Sequence, residues 1–66
     1  MMNETMGTRI SKLLDERGMT QRGLADAIGV TEVSVSRYIN GGRLPKGPII
    51  LNMAHVLGTT PEYILG

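Results

Sequence analysis

The chain contains no cysteine, which excludes disulfides, thiolate zinc sites and cysteine nucleophiles. Its single histidine, His55, makes a structural metal site equally unexpected. Tryptophan and phenylalanine are absent, so Tyr38 and Tyr63 are the only benzenoid side chains and the core must come from Leu, Ile, Val and Met. No apolar run approaches the ~20 residues of a bilayer span. The opening Met1-Met2-Asn3-Glu4-Thr5 has no basic region ahead of an apolar stretch, so no signal peptide is read and a cytoplasmic location is expected. Period-two alternation is missing, and with it any expected strand. The sequence also shows no nucleophile–base set, metal cluster or phosphate-cradling glycine loop. The expectation is therefore a non-enzyme with neither cofactor nor metal.

What remains is one small domain of 66 residues. A chain this short buries only about 60% of its unfolded surface, which leaves little room for a walled cavity. At 41% hydrophobic it is apolar enough to fold. The net charge of +1 is small, but its distribution is uneven. Between residues 17 and 48, Arg17, Arg22, Arg37, Arg43 and Lys46 face only Asp26 and Glu32, while Glu4, Asp15, Glu16 and Glu62 lie outside.

Helical periodicity and capping residues predict an all-α fold of five helices. The first spans about Thr5 to Arg17, with Ile10, Leu13, Leu14 and Arg17 on one face, and residues 1–4 are expected to form a flexible lead-in. The second spans Gln21 to Ile28 behind the cap Thr20, with Leu24, Ala25 and Ile28 as its stripe despite Gly23. The third spans Glu32 to about Asn40 behind Thr31, with Val35 and Ile39 facing inward. After a loop through Pro45, Lys46 and Gly47, the fourth starts at Pro48 and ends at Leu57. Thr60 and Pro61 open a short fifth, Pro61 to Leu65. The nine glycines read mostly as punctuation, since Gly18, Gly29, Gly41-Gly42, Gly58 and Gly66 follow helical segments.

The stretch TQRGLADAIGVTEVSVSRYINGG, Thr20 to Gly42, sets two short helices around a glycine turn, the helix-turn-helix arrangement. Ala25 falls where the helices approach, and Leu24, Ile28, Val35 and Ile39 would join one core. Thr20-Gln21, Leu24-Ala25, Ile28-Gly29-Val30-Thr31, Val35-Ser36-Arg37-Tyr38 and Asn40-Gly41 resemble the lambda-repressor-like DNA-binding domains of the Cro/repressor type, the xenobiotic-response-element family. The tail from Leu57 to Leu65 resembles that family's closing helices, and the similarity runs from about residue 8 to residue 66. The resemblance implies a compact five-helix domain that binds double-stranded operator DNA, usually as a dimer, as a transcriptional regulator of repressor type. Departures are Tyr38 where Trp is common, Ile39 where an acid is frequent, and Gly23 inside a helix. Leu14 is expected to meet Ile39 in an apolar contact.

Such domains place the second helix of the unit in the major groove, N-terminal part first. Arg37 could pair with guanine O6 and N7, Glu32 could accept from a cytosine amino group, and Val33 could pack on a thymine methyl. Gln21, at a helix N-terminus with free N–H groups, is the leading phosphate contact, followed by Thr31, Ser34, Asn40, Arg43 and Lys46. Each has a plainer reading. Arg37, Arg43 and Lys46 could be solvated charges, Glu32 a partner of the helix dipole, Val33 an incidental exposed residue, and Thr31 only a cap. Ile49, Leu51, Val56, Tyr63 and Ile64 exceed what one small core needs, so they form the expected face of a homodimer. The competing class is a protein-interaction module on the same fold, such as an antitoxin or an anti-regulator.

Overall fold

A computed structural model describes residues 4–66, and residues 1–3 of the expected lead-in lie outside the described residues. Five helices follow in order: α1 Met6–Arg17, α2 Gln21–Ile28, α3 Glu32–Asn40, α4 Gly47–Leu57 and α5 Pro61–Leu65. Two boundaries differ from expectation. Thr5 caps α1 rather than starting it. The Thr5 hydroxyl accepts from the Thr8 N–H at 3.1 Å, and the Thr8 hydroxyl accepts from the Thr5 N–H at 2.9 Å. This is a reciprocal capping box built from two threonines. Helix α4 begins one residue early, at Gly47, because Lys46 already has the extended backbone of a cap and Pro48 fits within the first turn. The hydroxyls of Thr20, Thr31 and Thr60 cap α2, α3 and α5 as the sequence suggested.

All five helices send at least one fully buried side chain to the centre: Ile10, Leu24, Val35, Met53, Leu57 and Ile64. Among the described residues no charged side chain is buried, so apolar contact holds the core. Ile64 therefore cannot belong to a dimer face, as the sequence had suggested. Helix α5 is too short to show a stripe, and its single inward position is spent filling the space between α1 and α4. In α3 the inward pair is Val35 and Tyr38, while Ile39 packs at the rim of the cluster. Leu14 is buried in that same cluster.

Gly7 is not punctuation. It lies inside α1, and a Cβ there would overlap the Ile39 carbonyl oxygen and come within 2.7 Å of the carbonyl carbon. The bare backbone at Gly7 lets α1 rest directly on the end of α3. The arginines of α1 fix the other side. Arg9 Nη1 donates to the Tyr63 carbonyl at 3.1 Å, and its guanidinium sits 5.5 Å from the Tyr63 ring centre. Its Nε lies 3.5 Å from a Glu4 carboxylate oxygen. Arg17 Nη2 donates to the Gly58 carbonyl at 3.5 Å, beyond the end of α4. Thus α1 is clamped to α3 by a missing side chain and to α4 and α5 by two long ones.

Candidate nucleic-acid interface

The turn between α2 and α3 sets the pose of the candidate surface. Gly29 adopts φ 74°, a left-handed conformation that a side chain would strain, and its N–H donates to the Ala25 carbonyl. Val30 N–H bonds to the same carbonyl at 3.0 Å. Ala25 is 1% exposed, so the close packing of α2 and α3 leaves no room there for a larger residue. Thr31 is extended, and α3 starts at Glu32.

Helix geometry then sorts the side chains of α3. At about 100° per residue, Val35 and Tyr38 share the inward side, and Val33, Arg37 and Asn40 share the outward one. Exposure agrees, since Val33 is 60% exposed and Arg37 and Asn40 are exposed. Glu32 is exposed at the N-terminal end, on one flank with the half-buried Ser36. Ser34 and Tyr38, four apart, line the opposite edge. The predicted base-contact residues Glu32, Val33 and Arg37 thus all reach solvent. Val33 and Arg37 share one face, whereas Glu32 lies about 100° to the side.

Beyond α3 the chain turns at Gly41 and Gly42, whose N–H groups both bond to the Arg37 carbonyl. Pro45 is buried and anchors the loop, which leaves Arg43, Leu44 and Lys46 exposed around it. The loop and the edge of α3 enclose a concavity of about 380 Å³. Thr31, Ser34, Arg43 and Lys46 line it together with Tyr38 and the apolar Val30, Leu44 and Ile49. Four of the six predicted phosphate contacts thus meet in one place. Gln21 is half-buried at the start of α2 and Asn40 lies at the exposed end of α3, and neither lines this hollow. Tyr38 was not among the predicted site residues. Its inward spacing reads as core, and only the fold of the loop shows that it also borders a surface hollow.

The expected dimer residues do not form one face. On α4, Val56 returns to the side of Ile49 after two turns, while Leu51 projects about 200° away. Ile49 borders the concavity beside α3, and Tyr63 is half-buried against Arg9. Leu51 instead joins Gly47, Pro48, Ile50, Pro61 and Leu65 around a second, apolar groove between α4 and α5. Leu51 and Leu65 are 60% and 57% exposed there. Leu65 and Pro61 were missed because a five-residue helix carries no periodicity to read. Among the described residues no group of three or more His, Asp or Glu side chains could hold a metal, and no helix is long and apolar enough to cross a membrane.

Comparison with known proteins agrees with this geometry. The chain matches the helix-turn-helix family over residues 10–64. It is 43% identical over 54 residues to Antitoxin HigA-1 of Vibrio cholerae, covering 82% of this chain and 50% of that protein. It is 36% identical over 63 residues to the HTH-type transcriptional regulator DicA of Escherichia coli, covering 96% and 47%. It is 33% identical over 67 residues to the 26 kDa repressor protein of Escherichia phage HK022, covering 96% and 28%. The chain therefore spans half or less of the length of these relatives. Among solved structures it superposes on the P22 c2 repressor in complex with synthetic operator 9T, with TM-score 0.91, 27% identity and 96% of both chains covered. It also superposes on the restriction-modification controller protein C.AhdI of Aeromonas hydrophila, with TM-score 0.84, 27% identity and 91% of each covered. On the extent of the match and the likeness of the whole fold, the chain belongs to the lambda-repressor-like helix-turn-helix family.

Proposed function

We propose that the chain is a sequence-specific transcriptional regulator, of repressor type, that lays α3 in the major groove of double-stranded DNA. One observation carries this reading. The outward row Val33 and Arg37 stands free of every other helix, and two cations and two hydroxyls gather along one edge of the same helix. A major groove is wide enough for one helix, and its base edges distinguish all four pairs. Arg37 reads guanine with a paired hydrogen bond, Val33 meets a thymine methyl, and Glu32 accepts from a cytosine amino group at the flank. Ser34, Arg43 and Lys46 hold one backbone, Thr31 acts through its bond to Ser34, and Gln21 at the start of α2 and Asn40 at the end of α3 hold further phosphates. The membership of the family and the likeness to an operator-bound repressor support the same assignment. Binding and regulation, rather than catalysis, are then the chain's business.

The active form in this reading is a homodimer joined through the apolar α4–α5 groove around Leu51 and Leu65. The molecule's longest dimension is 34 Å, close to one turn of the double helix. Successive major-groove faces recur at about 34 Å, which makes a palindromic site the expected target. The test is Arg37→Ala measured against a panel of duplexes varied one base pair at a time. Preference is expected to relax at one position per half-site, by about 1–3 kcal/mol. Equal weakening on every sequence contradicts base reading by Arg37.

The 43% identity to an antitoxin favours a second reading, in which a protein partner occupies the α4–α5 groove. Co-purification with the product of an adjacent gene, lost on Leu51→Glu, supports it. Retention of the partner by that variant counts against it.

A further inference from the structure

We propose that Arg9 is a positioning residue, which holds α5 in the pose the dimer needs and thereby sets the spacing of the two DNA half-sites, although it lies against α5 and not on the α3 face. This rests on the dimer reading above, in which two copies meet through the α4–α5 groove. Helix α5 has five residues, too few to hold its shape unaided. Pro61 and Leu65 stand four apart on its groove side. Ile64 is buried in the core, and Tyr63 lies on the flank away from the groove, half-buried against Arg9.

The guanidinium grips the end of that helix in three ways. Its Nη1 donates to the Tyr63 carbonyl at 3.1 Å, one of the final carbonyls that a helix leaves without partners. The planar group sits 5.5 Å from the Tyr63 ring centre. It also fills the space behind Gly66, where φ is 86° and an added Cβ would overlap Nη1. The Nε of the same group is buried without a hydrogen bond, 3.5 Å from a Glu4 carboxylate oxygen. A lysine would bring the charge without that orphan donor, but it could not bond the carbonyl and lie along the ring at once. The site therefore suits a guanidinium and not a simple cation. Two residues earlier in α1, Gly7 rests on the Ile39 carbonyl at the end of α3. The start of α1 thus touches both the DNA-reading helix and the helix that carries part of the groove, and it fixes the angle between them. Palindromic half-sites must match the separation of the two α3 helices, so that angle is read out as spacing.

The test compares wild type, Arg9→Met, Gly66→Ala and Arg17→Met. Self-association is measured by sedimentation. DNA binding is measured on the selected operator, on the same duplex with one base pair added or removed between the half-sites, and on an isolated half-site. Melting curves verify that each variant folds, and Gly66→Ala displaces the guanidinium without altering α1, so it carries the same expectation should Arg9→Met fail to fold. Arg17→Met is the control for lost stability, because Arg17 bonds the Gly58 carbonyl, past the end of α4 that lies away from the groove. Arg9→Met and Gly66→Ala are each expected to weaken dimer formation about tenfold. Without its hydrogen bond to a charged group the ordered last turn becomes a minority state, and affinity falls with its population. Both should lose most of the preference for the selected spacing while binding the half-site as wild type does. Arg17→Met should lower the melting temperature and leave association and spacing unchanged. The proposal is overturned if Arg9→Met dimerises as tightly as wild type, if its spacing preference is intact, or if Arg17→Met shows the same losses, which would reduce Arg9 to a clamp of the fold. A wild-type dimer indifferent to Leu51→Glu refutes the groove reading instead. A wild type that stays monomeric at every concentration, on DNA and off it, refutes both.

Discussion

Replacing Gly7 with alanine should destabilise the fold, although alanine is the better helix former. The added Cβ would overlap the Ile39 carbonyl oxygen and lie 2.7 Å from its carbon. Ordinary contact between carbon atoms is about 3.5–4.0 Å, so α1 and α3 would have to part by roughly an ångström. Both colliding groups are backbone, and no side-chain rotation relieves them. Overpacking of this kind costs about 1–3 kcal/mol. Alanine returns about 1 kcal/mol at most in helix propensity, and less near a helix start. The net loss is about 1–2 kcal/mol, a fall of roughly 4–16 °C in melting temperature for a domain this small. Gly42→Ala is the matched control. Its φ is not positive and a Cβ there would lie 4.0 Å from the Arg37 carbonyl oxygen, an ordinary contact. It should gain about 0.4–1 kcal/mol through the unfolded chain. Thermal and urea unfolding followed by circular dichroism measure both. A Gly7→Ala variant as stable as wild type, or two variants that shift in the same direction, would refute the claim that α1 rests on the backbone of α3.

Ile64→Ala should cost about 2–5 kcal/mol in unfolding experiments, because the side chain is fully buried, whereas Leu65→Ala should cost little. Leu65→Glu or Leu51→Glu should instead appear in sedimentation as loss of the dimer, with the monomer fold intact. Thr31→Ala should remove about 1 kcal/mol of cap stability and also weaken DNA binding through Ser34, while Thr60→Ala affects stability alone. Lys46→Ala should flatten the plot of log affinity against log salt by about one unit without altering base preference.

Most of the fold was legible because the information is local. Capping threonines, terminating glycines and the stripes of α1 and α2 each involve residues a few positions apart, and a sequence shows those directly. The outward row of α3 follows from the same spacing. What escaped depends on contacts between distant segments. Gly7 looks like a weak helix residue until Ile39 is placed against it. Ile64 looks surplus until α5 folds over α1, and Arg9 gives no sign of reaching the Tyr63 carbonyl, 54 residues away in sequence. Which of the phosphate-contact candidates lie together is not legible in the sequence either, because only the loop anchored by Pro45 shows that four of them share a hollow with Tyr38.

If α3 reads base sequence from the major groove, the preferred sequence is recoverable from random DNA. Selection of binding sites by the purified chain from random duplexes, at moderate salt, tests it most directly. Enrichment of a palindrome is expected, its half-sites about one helical turn apart, with a guanine at the position that Arg37→Ala relaxes. Bound pools that remain random through successive rounds would contradict it.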